Sequence, residues 1–398
     1  MFEEKHFFTT YYTGGIFDLL IIPIFIGAII LTLITIKWAT LNKIRKSALF
    51  LCLIILSLRL MVSATAPFNP IIPNFGDVEL FSNMIVNNYF YEEQSLGIRL
   101  YYFLSYPLRI ISGFNLISFL IIQTLIYYVA MLIIWRSYID SSSYELNNSK
   151  SFIYYFILIT IYPASLMYIS VPLREYFLVF SLSVFMLGLT RFITGGKLVL
   201  LLVAILLFVA IRPHIIPALL AIIYFSKNYN KFSSYLIAIF IPSFLLYIFS
   251  ILIYPITPEK LSEIRLNWSE VHPEDVYGIF SWSTWVDVIL SVPTLVLQYI
   301  TSPLPILHDR SPFTMLAGFF DFIFIISLTT IISLSLFNKQ MRLAIPIHFV
   351  ILIFIITILS ATWEAYIGGA IRHRMTSIIP LIPISAYFLS KLTLTKKN

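Results

Sequence analysis

The chain has 398 residues, 59% hydrophobic and only 11% charged, with a formal net charge of +7. No water-soluble domain has surface enough for that ratio, which leaves an integral membrane protein crossing the bilayer many times. Basic charge in a soluble protein would suggest nucleic acid, but here the excess of Lys and Arg on cytoplasmic loops explains it, and no nucleic-acid partner is expected.

The first fifteen residues, MFEEKHFFTTYYTGG, are acidic and aromatic, with neither a basic n-region nor a small-residue cleavage site. The first hydrophobic run is therefore expected to stay in place as an anchor. Hydrophobic stretches predict spans near 17–36, 48–65, 116–135, 152–170, 175–190, 232–254, 314–337, 343–362 and 376–390. The expectation is an all-α polytopic membrane protein of about nine full transmembrane spans, without the alternating pattern of a barrel. Segment 198–226 is also apolar, but RPH interrupts it. Pro213 breaks the helical ladder there, and Lys197 and Lys227 both belong on one side, so this segment is read as a broken re-entrant helix pair. Arg212 and His214 would sit at its apex, where an arginine facing lipid costs about 2.5 kcal/mol or more.

The basic residues orient the bundle. With the N-terminus outside, the inner pieces are 37–47, 136–150, 191–197, 226–231, 338–342 and 391–398, which hold 15 of the 26 Lys and Arg but 2 of the 19 acids. The opposite orientation would violate the positive-inside rule. The outer side then carries the first loop at 66–115, a short one at 171–174, a long one at 255–313 and EAYIGGAIRHR at 364–374. Within the long loop, 282–300 is apolar with Pro293 near its middle and is expected to lie at the interface or re-enter. All of 1–398 reads as one membrane domain, and irregular sequence gathered on one face marks that face for binding or reaction. The single cysteine, Cys52, lies in an apolar run, which leaves no disulfide and no thiolate metal site.

Three outer stretches could carry chemistry. Asp77 stands at the start of an amphipathic stretch, as a general base for a hydroxyl or as the cap of a helix beginning at 78. Arg174 and Glu175 open the fifth span, as an ion pair reaching to the interface or as part of an outer vestibule. GGAIRHR places Arg372, His373 and Arg374 side by side. Nine of the eleven basic residues outside the inner pieces are arginines, among them Arg59, Arg109, Arg174 and Arg212. Arginine is the residue suited to planar recognition of phosphate, so the stretch reads as part of a site for an anionic, membrane-bound ligand. His214, His308 and His373 are candidates for moving protons. Trp268, Trp282, Trp285 and Trp363 are candidates for stacking on sugar rings or for an interfacial belt.

In chain order, GDVELFSNMI, SYPLRIISGFNLISF, AIRPHIIPALL, ITSPLPI and GGAIRHRMTSIIPLIPI resemble motifs of the polytopic glycosyltransferases of the GT-C superfamily. More narrowly, the series is similar to the O-antigen and capsular repeat-unit polymerases (Wzy-type) of bacterial inner membranes. The resemblance covers most of the chain through short motifs. It implies a GT-C-like fold and an outer-loop acid that activates the acceptor, matched here by Asp77 with Glu79 as a second carboxylate. It also implies a basic patch near the lipid phosphate, matched by Arg372, His373 and Arg374. The chain departs from the family in having a complete extra span before the first loop, and it lacks a paired DD or DE there. No metal ligands are assigned, and a divalent cation is left open as a cofactor.

The activity expected is an inverting glycosyl transfer at the periplasmic face, from one polyprenyl-(pyro)phosphate-linked oligosaccharide to a hydroxyl of the next. Asp77, Glu175 or Glu364 would take the proton. Arg212, Arg372 and Arg374 would stabilise the leaving group, with His214, Arg174 and Arg109 around them. Donor, acceptor, membrane lipids and a chain-length regulator are the partners this implies. Two alternatives use the same features: transfer of a single sugar from a polyprenyl-phosphate sugar, and transport of lipid-linked glycans, for which paired broken helices would be expected.

Overall fold

The computed structural model describes residues 19–68, 76–90, 96–142, 149–196, 198–211, 215–228, 257–271, 280–302, 312–342, 344–365 and 367–395. In chain order the helices are α1 (Ile21–Ala39), α2 (Lys46–Thr65), α3 (Gly76–Val86), α4 (Leu96–Ile111), α5 (Leu116–Ser141), α6 (Ser149–Ile161), α7 (Pro163–Tyr168), α8 (Glu175–Ile193), α9 (Val199–Ile211) and α10 (Ile216–Asn228). They continue with α11 (Pro258–Val271), α12 (Trp285–Thr301), α13 (Pro312–Leu336), α14 (Lys339–Arg342), α15 (Ile347–Trp363), α16 (Ile367–His373), α17 (Met375–Ile378) and α18 (Leu381–Thr395). No strand occurs among the described residues. The chain is a helical membrane protein.

Burial separates inner from outer helices. α5 and α8 pack against each other at the centre and are mostly buried. α1 turns Ile22, Ile26, Ile30 and Ile34 outward, and α2 does the same with Phe50, Ile54, Leu58 and Met61. Spacings of three and four place each set on one stripe, which in water would be an aggregation hazard and in a bilayer meets acyl chains. Five described helices are long and apolar enough to cross a membrane, or six if Ile367–Ile378 and Leu381–Leu392, bent by 60°, form one span. The expected span at 232–254 lies outside the described residues. Residues 152–170 are not one straight helix: the chain breaks at Tyr162, and Pro163 opens α7, where a missing N–H costs least. Helices α9 and α10 lie on either side of 212–214, which are themselves outside the described residues.

Polar side chains at membrane depth turn to backbone carbonyls within the bundle, in a medium that offers no water. Gln123 of α5 donates to the carbonyls of Ile169 (2.9 Å) and Val171 (2.7 Å), closing the turn after α7. Arg59 of α2 donates to the Ser165 carbonyl at 2.7 Å. Gly188 on α8 lets α9 approach so closely that a Cβ there would lie 2.9 Å from the Leu201 nitrogen.

The loops sort into two groups. In one, Arg136 donates to the Trp38 carbonyl (3.2 Å), the Arg45 amide to Ser149 Oγ (3.0 Å) and Tyr138 to the Ala344 carbonyl (3.3 Å). His348 Nε2 lies 3.1 Å from both Ser141 Oγ and Thr190 Oγ1, and Ser151 meets Ser390 at 2.7 Å. These contacts join the neighbourhoods of 37–47, 136–150, 191–197, 338–346 and the last helix, the pieces rich in Lys and Arg. In the other group, the first loop meets the start of α8 through Tyr101 and Tyr176, and Tyr168 donates to the Gly368 carbonyl at 3.1 Å.

Candidate functional site

The second group is built on two helix N-termini. α3 begins at Gly76 with Asp77 and Glu79 in its first turn, and α8 begins with Glu175 after Arg174 at the N-cap. Exposed N–H groups and the helix dipole favour negative charge at both places. Asp77 is therefore inside the first turn rather than at the cap before residue 78. Glu79, two residues further, is exposed. Helical positions two apart do not share a face, so Glu79 cannot act beside Asp77.

The third component is α16. Its Arg372 donates from Nη1 to Asp77 Oδ2 at 2.7 Å and from Nε to Glu175 Oε1. The two ion pairs differ in setting: the Asp77 side chain is 49% exposed and that of Glu175 only 1%. Glu175, expected to pair with its neighbour Arg174, is thus the buried partner of Arg372. Arg174 lies within the field of the same groups. Burial lowers its pKa from the usual range and Arg372 adds to this, while Glu175 and Asp77 act in the opposite direction. Among the described residues, Arg372 Nη2 and Arg174 Nε have no hydrogen-bond partner.

His373 turns elsewhere, with Nδ1 2.5 Å from Glu364 Oε2. Glu364 is the C-cap of α15 and is buried. Its backbone carbonyl accepts from Arg265 Nη1 at 2.9 Å, and the same nitrogen reaches the Thr362 carbonyl at 3.0 Å. Helix α11, from the long loop, thereby closes the end of α15. Gly369 makes room for the acid: a Cβ there would lie 2.7 Å from Glu364 Cδ and 2.9 Å from Oε2.

Arg374 takes a third direction. It donates from Nε to Asp321 Oδ2 (2.7 Å) and from Nη1 to the carbonyls of Ser302 (2.6 Å), Tyr299 and Ile300 (both 3.1 Å). Both members of this ion pair are buried. The expected patch of three adjacent cations does not form, for a geometric reason. Successive helical residues are turned by about 100°, so neighbours cannot converge on one group.

Arg109 belongs to the frame of the first loop. It donates to the Met84 carbonyl (2.8 Å), Asn88 Oδ1 (2.6 Å) and the Tyr102 carbonyl (2.7 Å), and its guanidinium lies 4.0 Å from the Tyr102 ring centroid. This fixes the C-terminal end of α3 on α4, where Asn88 takes a positive φ of 50°. Arg212, His214 and His308 lie outside the described residues. Trp282 is buried and stacked on Phe280, and with Trp285 and Trp363 it packs a small core between α11, α12 and α15. Among the described residues no group of three or more His, Cys, Asp or Glu could hold a metal ion.

Asp321 and Arg265 escaped the sequence reading. A lone acid inside an apolar run needs a partner at that depth, and this was the available signal for Asp321. Nothing local marks Arg265.

Compared with protein-family models, with curated proteins and with solved structures, the chain matches none.

Proposed function

We propose that the chain is a multi-pass glycosyltransferase of the bacterial inner membrane, acting at the periplasmic face on polyprenyl-(pyro)phosphate-linked glycans and polymerising O-antigen or capsular repeat units. The N-terminus is periplasmic and the C-terminus cytoplasmic in this reading, since the loop group rich in Lys and Arg then faces inward. The observation that carries the proposal is the meeting of Asp77 and Arg372, far apart in sequence, at the group of loops opposite the basic one. A carboxylate that can accept a proton stands there beside two arginines and two helix N-termini suited to a phosphoryl group.

In the reaction, the acceptor hydroxyl gives its proton to Asp77 as its oxygen bonds to the anomeric carbon. The bond from that carbon to the phosphate oxygen breaks, with inversion, and the pyrophosphate leaves with the electron pair. Arg372 and Arg174 neutralise charge that grows on the leaving group, which lowers the barrier only because it is larger in the transition state. Arg374 and Arg109 are assigned to the scaffold. Glu364 and His373 hold α16 against the end of α15 and so fix where Arg372 stands.

The test uses the full-length protein in lipid vesicles with a polyprenyl-pyrophosphate-linked repeat unit. Wild type is expected to yield a ladder of longer glycans. Asp77→Asn should lower the rate by about 100-fold or more, as loss of a general base does. Consumption of a polyprenyl-monophosphate sugar instead would assign the single-sugar reaction. Movement of the lipid-linked unit across the membrane without a new glycosidic bond would assign transport.

A further inference from the structure

The guanidinium of Arg372 has two forked edges. Nε, on the side edge, is occupied by buried Glu175. The remaining edge is formed by Nη1 and Nη2, of which Nη2 has no partner among the described residues and Nη1 holds the exposed Asp77. A phosphoryl group is gripped best through two parallel N–H donors. On this arginine the only edge that can supply both requires Nη1.

We propose that phosphoryl binding at Arg372 is an exchange, in which an oxygen of the lipid-linked pyrophosphate takes Nη1 from Asp77 and thereby releases the carboxylate as the base. The proposal rests on the glycosyltransferase reading and adds the order of events: the base is masked until the donor is seated. The two ion pairs differ in the way an exchange needs. Exposed pairs contribute little and dissociate easily, whereas breaking a buried one leaves a charge without compensation. Glu175 therefore keeps Arg372 in place while Asp77 yields. Once parted from the guanidinium, Asp77 Oδ2 no longer accepts from Nη1 and is free to meet the acceptor hydroxyl. Arg174, beside the same groups, offers a further donor to the incoming anion. The arrangement also protects the glycan: an unmasked base in an unloaded site would be free to activate water.

The experiment measures binding of a polyprenyl pyrophosphate without glycan to the full-length protein in lipid nanodiscs, with inorganic pyrophosphate as a parallel probe. Asp77→Asn removes the charge of the competitor for Nη1, leaving only a neutral amide oxygen, and is expected to bind the lipid probe about 2- to 5-fold more tightly than wild type. Glu79→Gln removes the same charge from the same helix but faces away, and is expected to bind as wild type does. A gain with both probes assigns recognition to the phosphoryl group itself, and a gain with the lipid alone assigns it to a lipid headgroup. A second measurement needs no variant: saturating wild type with the lipid probe should speed amide hydrogen exchange in 76–86, because the tether at Asp77 is broken. Equal or weaker binding by an Asp77→Asn protein that melts like wild type overturns the exchange, as does unchanged exchange in 76–86 at saturation. A wild-type chain that binds neither probe overturns the glycosyltransferase reading along with it.

Discussion

Arg374 and Asp321 form an ion pair in which neither side chain is more than 1% exposed. Removing one member strands the other in a medium that cannot solvate it. Arg374→Ala is expected to cost about 3–5 kcal/mol and to be seen as poor recovery from membranes and a lowered melting temperature. The double variant Arg374→Met with Asp321→Leu should regain much of this and still bind a polyprenyl pyrophosphate. A folded double variant that had lost the ligand would instead make Arg374 a phosphate contact.

Gly369 faces the Glu364 carboxylate at a distance no Cβ can share. Gly369→Ala is expected to cost about 1–3 kcal/mol through overpacking and to push Glu364 off His373. With α16 displaced, Arg372 moves as well, so glycan polymerisation should fall in a protein that still reaches the membrane. Unchanged polymerisation by Gly369→Ala would show that Glu364 and His373 do not set the place of Arg372.

Arg109 holds three oxygens that a lysine cannot reach together, because an ammonium lacks the planar fork. Arg109→Lys is expected to destabilise the first loop by about 1–3 kcal/mol, the cost of leaving buried acceptors without donors. Hydrogen exchange should rise in 76–90 and 96–111 and stay as it was in α5. A uniform rise over the whole chain would mean that Arg109 supports the bundle and not this loop.

The orientation can be read with thiol reagents, since Cys52 is buried and contributes little background. Tyr89 and Asn42 are both exposed, the first in the first outer loop after α3 and the second between α1 and α2. In intact spheroplasts, Tyr89→Cys is expected to react with an impermeant maleimide, and Asn42→Cys only after permeabilisation. The reverse pattern would invert the chain and place the site in the cytoplasm.

Much of the architecture was legible because charge and hydropathy act over whole segments. The runs behind α1, α2, α5 and α8 stay apolar, with few charges, over lengths that only a bilayer explains, and the basic pieces at 37–47 and 136–150 do meet in space. Asp77 and Arg372 were both visible as candidates, since each is a charged residue beside an apolar stretch. Their pairing was not, because it depends on how α16 is rotated, and no local pattern encodes that. The same holds for Glu175, whose neighbour in sequence was the obvious partner and whose partner in space is 197 residues away. The break at Tyr162 was hidden by apolar composition on both sides, although Pro163 was its local mark.

Each side chain in Arg372–His373–Arg374 has its own acid: Asp77 and Glu175 for the first, Glu364 for the second, Asp321 for the third. The tract therefore works like a key with three teeth cut at fixed angles. Inserting or deleting one residue between Gly369 and Arg372 would present every tooth to the wrong ward, leaving at least two acids without a cation. Length in this short segment is accordingly the property least open to change, more so than the identity of any one of its residues.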